Sequence, residues 1–122
     1  MSPNTLTSIK NLIKKHLQMN DDHIQQYLEV LKLYTTGKWI YPGVIKRKLN
    51  VNITEVYEVL SCLENAGLIK GYYEIYCNNC QHSAGEIFET LNELPDEYEC
   101  EHCGCVFSGL ENAILVFKVI AI

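Results

Sequence analysis

The chain has 122 residues, a hydrophobic fraction of 48% and a formal net charge of −5, which suits one small globular domain and excludes wholesale disorder. No apolar run reaches the ~18–20 residues of a membrane-spanning helix, and no cationic-then-apolar leader announces secretion. The six cysteines are therefore expected in a reducing, cytoplasmic setting, where metal ligation is favoured over disulfides, and the acidic total argues against a general nucleic-acid binder.

Ser2-Pro3 is a helix-start signal, a hydroxyl cap followed by proline in the first turn. Leu6, Ile9, Leu12, Ile13 and Leu17 then recur at helical spacing, with Lys10, Lys14 and Lys15 off the stripe and His16 at its edge. Asn20-Asp21-Asp22 ends this helix and caps a second, whose stripe of Ile24, Tyr27, Leu28, Leu31 and Tyr34 is expected to run to Gly37. Trp39-Ile40 and its neighbours read as a short strand, and Pro42 opens a third helix that stops near Asn50. Thr54 is the expected cap of a fourth helix, with Val56, Val59, Leu60, Leu63 and Ala66 on one face and Gly67 as a left-handed terminator. Residues 68–76 are rich in aromatic and β-branched side chains and read as a strand.

From Cys77 the character changes. Residues 77–109 hold five of the six cysteines and few large aliphatic side chains, and residues 112–122 return to strand-like sequence. Cys77-Asn78-Asn79-Cys80 and Cys100-Glu101-His102-Cys103 are two C-x2-C hooks 19 residues apart. Four soft ligands delivered in pairs from tight turns suit one tetrahedral zinc ion per chain, in a structural role. Gly104 allows the chain to turn back after the second hook. A redox dithiol or disulfides are the competing readings, but a redox C-x-x-C belongs on a βαβ unit, which this segment lacks. His102 and Cys105 are secondary candidates beside the thiols, His82 reads as surface, and Cys62 as core.

The segment from Cys77 to Gly109 resembles a zinc ribbon: hook, strand over Glu86 to Leu91, loop with Pro95, hook, and strand at Cys105-Val106-Phe107. That resemblance implies that Tyr98 and Phe107 pack beside the knuckles. The order of elements over residues 38–76, with the run Thr54 to Ile69 closing on Gly67-Leu68-Ile69, resembles a winged-helix domain. It implies that the fourth helix is a recognition helix and that the strand after it is a wing. A winged helix followed by a zinc ribbon also resembles, in architecture only, the archaeal general transcription factor E. The fold class expected is α+β. It comprises an N-terminal helix (1–20), a winged-helix body (21–76), a zinc ribbon in or after the wing (77–109) and a final strand pairing back on the wing (110–122).

The charge is unevenly spread. Residues 1–50 carry a net +5 and residues 51–122 a net −10, an asymmetry that points to a partner for one face. The outer face of the fourth helix holds Glu58, Ser61 and Asn65, flanked by Glu55, Tyr57 and Glu64, with no lysine or arginine. Since phosphate contacts dominate affinity for DNA, this face is ill suited to a groove. The cations lie at Lys10, Lys14 and Lys15 and at Lys46, Arg47 and Lys48, where they would meet phosphates or an acidic protein. Tyr72, Tyr73 and Tyr76 crowd one strand and, with Glu58, form a candidate protein interface. No nucleophile–base pair, phosphate loop or open metal site is legible. The sequence thus points to a non-enzymatic adaptor or regulatory subunit with a protein partner. The alternative is a DNA-binding regulator using its basic N-terminal half. The first helix must pack its stripe on the body or across a homodimer.

Overall fold

The computed structural model describes residues 1–120; residues 121 and 122 of the expected final strand lie outside the described residues. Four helices precede most of the strands: α1 (Pro3–His16), α2 (Asp21–Leu31), α3 (Pro42–Leu49) and α4 (Ile53–Asn65), with β1 (Trp39–Ile40) between α2 and α3. Strands β2 (Ile69–Cys77), β3 (His82–Phe88), β4 (Tyr98–Glu99), β5 (Val106–Phe107) and β6 (Ala113–Val119) follow, with a 3-10 turn at Leu91–Glu93. The strands form a four-stranded sheet in the order β1-β6-β2-β3 and a separate β4-β5 ladder. The fold is therefore mixed α and β with antiparallel pairing.

Local chemistry accounts for most of the element ends. The Ser2 hydroxyl accepts from the Thr5 N–H at 3.2 Å, and the Asn20 side chain accepts from the His23 N–H at 2.8 Å, opening α1 and α2. Asn50 closes α3 in the left-handed region at φ 53°. Two boundaries differ from the sequence reading. The cap of α4 is Asn52, whose Oδ1 accepts from the Thr54 N–H at 2.8 Å, so Thr54 sits inside the first turn. The second helix ends at Leu31 instead of running toward Gly37. The intervening residues fold into turns, and the Gly37 N–H donates to the Val119 carbonyl at 2.8 Å. Tyr34 therefore lies beyond the helix whose stripe it was expected to continue.

The chain comprises two compact units: Met1–Lys70 with the chain from Phe117 on, and Gly71–Val116. The division falls inside β2 and β6, whereas the change in composition falls at Cys77 and Gly109. In the first unit α1 packs on α2 and α4, and α3 on α2 and α4. Ile9 and Ile13 of α1 are fully buried within this single chain. The middle of the first helix's stripe is thus covered by its own body, while Leu6, Leu12 and Leu17 remain half-buried. Along α4, Val56, Val59, Leu60 and Leu63 are all at 0% exposure, each worth roughly 1.5–3 kcal/mol of burial. Strand β1 closes this unit against β6, with Trp39 opposite Lys118 and Ile40 opposite Phe117.

In the second unit β2 pairs with β3 through Tyr73–Phe88, Glu74–Ile87, Tyr76–Ser83 and Cys77–His82. Between the second and third pairs β3 advances four residues while β2 advances two, so the extra residues bulge from the β3 side. The strand after the first hook thus runs from His82 to Phe88 and not from Glu86 to Leu91. Leu91 belongs to the 3-10 turn. Polar His82 and Ser83 carried no strand signal, and pairing with β2 decided their conformation.

Candidate functional site

Each C-x2-C hook is the same backbone turn used twice. Cys77 ends β2, Gln81 takes the left-handed region at φ 59°, and its N–H donates to the Cys77 carbonyl at 2.8 Å. Cys100 follows β4, Gly104 takes φ 74°, and its N–H donates to the Cys100 carbonyl at 2.8 Å. The second turn is tied further by the Cys100 N–H, which donates to the Cys105 carbonyl at 2.9 Å. Both turns point two thiols at a common centre. The glycine was legible in sequence; its counterpart is a glutamine, and a non-glycine residue with positive φ gives no reliable sequence signal.

The Sγ atoms of Cys77, Cys80, Cys100 and Cys103 all lie within 4.8 Å of one another. Two of the approaches run between hooks, 3.7 Å for Cys77–Cys103 and 3.5 Å for Cys80–Cys100. A tetrahedron with metal–sulfur bonds of ~2.3 Å has S···S edges of roughly 3.8 Å, so the four thiols are placed to hold one ion, and the size and softness of the set suit zinc. Cys77 and Cys100 are buried, Cys80 half-buried and Cys103 exposed. The environment separates the thiols. Burial, then contact with the three other thiols, pushes Cys80 up to about 12. At Cys103 the hydrogen bond from the Asn79 side chain, then one from the Cys105 backbone, draws the thiol down to about 6. Asn79 Nδ2 donates to Cys103 Sγ at 3.5 Å, from one hook to the other, a partner that the sequence reading did not single out.

Asn112 braces the first hook. Its side chain accepts from Asn78 Nδ2 at 3.0 Å, and its carbonyl accepts from the Tyr76 N–H at 2.9 Å. The β4-β5 ladder carries the second hook, with Tyr98 and Phe107 directly paired and their rings 5.7 Å apart. His102 lies outside the thiol cluster and stacks on His82 at 4.7 Å. Cys105 is half-buried and also outside the cluster, and burial raises its thiol pKa.

The other candidate residues are placed as follows. Lys14 and Lys15 fill the last turn of α1, and Lys46, Arg47 and Lys48 the last turn of α3, where cations complement the negative end of the helix. Lys14 forms an ion pair with Asp21 at 2.9 Å; Lys46, Arg47 and Lys48 are exposed and form no ion pair among the described residues. Lys10 is half-buried on α1. Tyr72, Tyr73 and Tyr76 are half-buried on β2, and the Tyr76 hydroxyl donates to the Gln81 carbonyl at 2.9 Å. By compact unit the charge segregates completely among the cations: all ten lysines and arginines lie in the first unit, while the second carries nine acids and none of them.

The outer face of α4 divides in two. Glu55 turns toward α2, where its carboxylate meets His23 Nε2 at 2.9 and 3.0 Å and accepts from the Tyr27 hydroxyl at 2.9 Å. Burial, then this bond to Glu55, raises the Tyr27 phenol pKa. Thr54, Tyr57, Glu58, Ser61, Cys62, Asn65 and Ala66 instead line a groove of about 520 Å³ whose opposite wall is Leu12, His16 and Leu17 of α1 and its C-cap. Burial, then the Glu58 charge, raises the Cys62 thiol pKa. No helix among the described residues is long and apolar enough to cross a membrane. Compared with known proteins, the chain matches no family model, no curated protein and no solved structure.

Proposed function

We propose that this chain is a non-enzymatic interaction module, a winged-helix body joined to a four-cysteine zinc ribbon. In this reading it docks on other proteins of a larger complex as an adaptor or regulatory subunit. One observation carries the reading. The outer face of α4, which a DNA reader would place in the major groove, forms an apolar groove with α1. Glu58 is its one carboxylate, and no lysine or arginine lines it. Such a surface opposes phosphate and favours burial of apolar protein side chains. Zinc is assigned a structural role, since four cysteines complete a tetrahedral shell. The stretch 77–109, with its few large aliphatics, depends on the ion for its folding free energy.

The test is a DNA-binding titration over a range of salt concentrations with the full zinc-loaded chain. The docking reading expects only weak, sequence-independent association. Tight binding with a steep salt slope, abolished by reversing Lys46, Arg47 and Lys48 to glutamate, would overturn it in favour of a DNA-binding regulator.

A further inference from the structure

Helix α4 has two seams. Val56, Val59, Leu60 and Leu63 form the buried one. The second, Thr54-Tyr57-Glu58-Ser61-Cys62-Asn65, keeps the spacing i, i+3, i+4, i+7, i+8, i+11 without interruption and forms the floor of the 520 Å³ groove. It covers three helical turns, about 16 Å at 1.5 Å per residue. Two packed helices with an open, unbroken seam of this length form the kind of trough into which a third helix lays its ridge. Leu12, Leu17, Tyr57, Cys62 and Ala66 supply the apolar part of the groove's lining.

The polar groups on the trough lack partners. The Tyr57 hydroxyl, the Glu58 carboxylate, the Ser61 hydroxyl and the Asn65 amide make no side-chain hydrogen bond or ion pair among the described residues. Glu55, one turn earlier on the same helix, is held by His23 and Tyr27. Glu58 stands exposed in the groove, which no lysine or arginine lines. A carboxylate at an apolar seam selects a cation.

We propose that the α1–α4 trough binds an amphipathic helix of a partner protein. That helix buries leucine-type side chains at i, i+4, i+7 and i+11 and presents a lysine or arginine to Glu58. This deepens the docking reading above and rests on it for the partner being a protein. The probe is an 18-residue alanine-based helical peptide with leucines at those positions and lysines flanking them. Its counterpart replaces every lysine with glutamate. Cys62 lines the trough and is half-buried, so its alkylation by iodoacetamide, resolved by peptide mass spectrometry on the full zinc-loaded chain, reports occupancy directly. The lysine peptide should slow Cys62 alkylation at least tenfold and the glutamate peptide should not. Glu58→Gln should weaken the lysine peptide about fivefold, and Ser61→Arg, at an exposed position, should abolish protection with the helical circular dichroism unchanged. Protection by neither peptide, equal protection by both, or protection that survives Ser61→Arg would overturn the proposal. The DNA titration is unaffected by any of these results, so the two readings fail separately.

Discussion

Gly109 offers the sharpest test of the second unit. It is buried, its N–H donates to the Pro95 carbonyl at 3.1 Å, and a Cβ at this position would lie 2.5 Å from that same oxygen and 3.1 Å from Pro95 Cδ. The oxygen is backbone and cannot rotate away, so Gly109→Ala must move one chain segment by most of an ångström. Overpacking of this kind costs about 1–3 kcal/mol, and stretching the hydrogen bond adds about 1 kcal/mol. The matched control is Gly43→Ala in α3, where the nearest group to a new Cβ is the flexible Arg47 guanidinium at 4.0 Å. That substitution should be neutral or stabilising by about 0.5 kcal/mol. The assay is amide hydrogen exchange of the zinc-loaded protein, read on peptides spanning residues 91–112. Gly109→Ala should raise exchange there about tenfold or more and leave α4 unchanged. Exchange equal to that of the parent would refute the claim that the Gly109–Pro95 approach holds this loop.

Further outcomes follow from the same geometry. Cys77→Ser or Cys100→Ser should yield protein without stoichiometric zinc and with residues 71–116 open to protease; unchanged zinc by elemental analysis would remove the metal assignment. Glu55→Ala strips the acceptor from the buried Tyr27 hydroxyl and from His23, and should cost about 1–3 kcal/mol in denaturation followed by Trp39 fluorescence; a change below about 0.5 kcal/mol would mean the cluster is solvent-compensated. The Lys14 hydrogen bond and charge hold the Asp21 carboxyl below the ordinary aspartate range. A depressed folded pKa means that the pair stabilises above the unfolded value and that this contribution is lost as pH falls through the folded one. Carbon-detected NMR should therefore place the Asp21 midpoint below the usual value, and Lys14→Ala should raise it; a midpoint unmoved by that substitution would assign the shift elsewhere.

Much of the first unit was legible because its signals are local. Caps at Ser2 and Asn20, the terminator at Gly67 and the apolar stripes of α1 and α4 act within a turn or two of chain. Where a boundary was misplaced, two local options competed: Asn52 and Thr54 are both good caps, and only the hydrogen bond from the Thr54 N–H distinguishes them. The cysteine spacing likewise announced four ligands, because a C-x2-C hook is a self-contained turn.

The chain's order of residues by itself determined the four thiols, the buried seams of the helices and the scarcity of cations on the outer face of α4. Tertiary structure alone decided what lies between distant segments. It set Asn79 across from Cys103, paired His82 and Ser83 into a strand, and tied Glu55 to His23 and Tyr27. It also set the end of α1 against α4 to make a groove of a face that reads, in sequence, as merely acidic. The physical reason is range: capping and periodicity act within a single helix, whereas the groove, the cross-hook donor and the Glu55 cluster depend on residues 20 or more positions apart meeting in space, and the β2–β3 register depends on pairing between two separate strands.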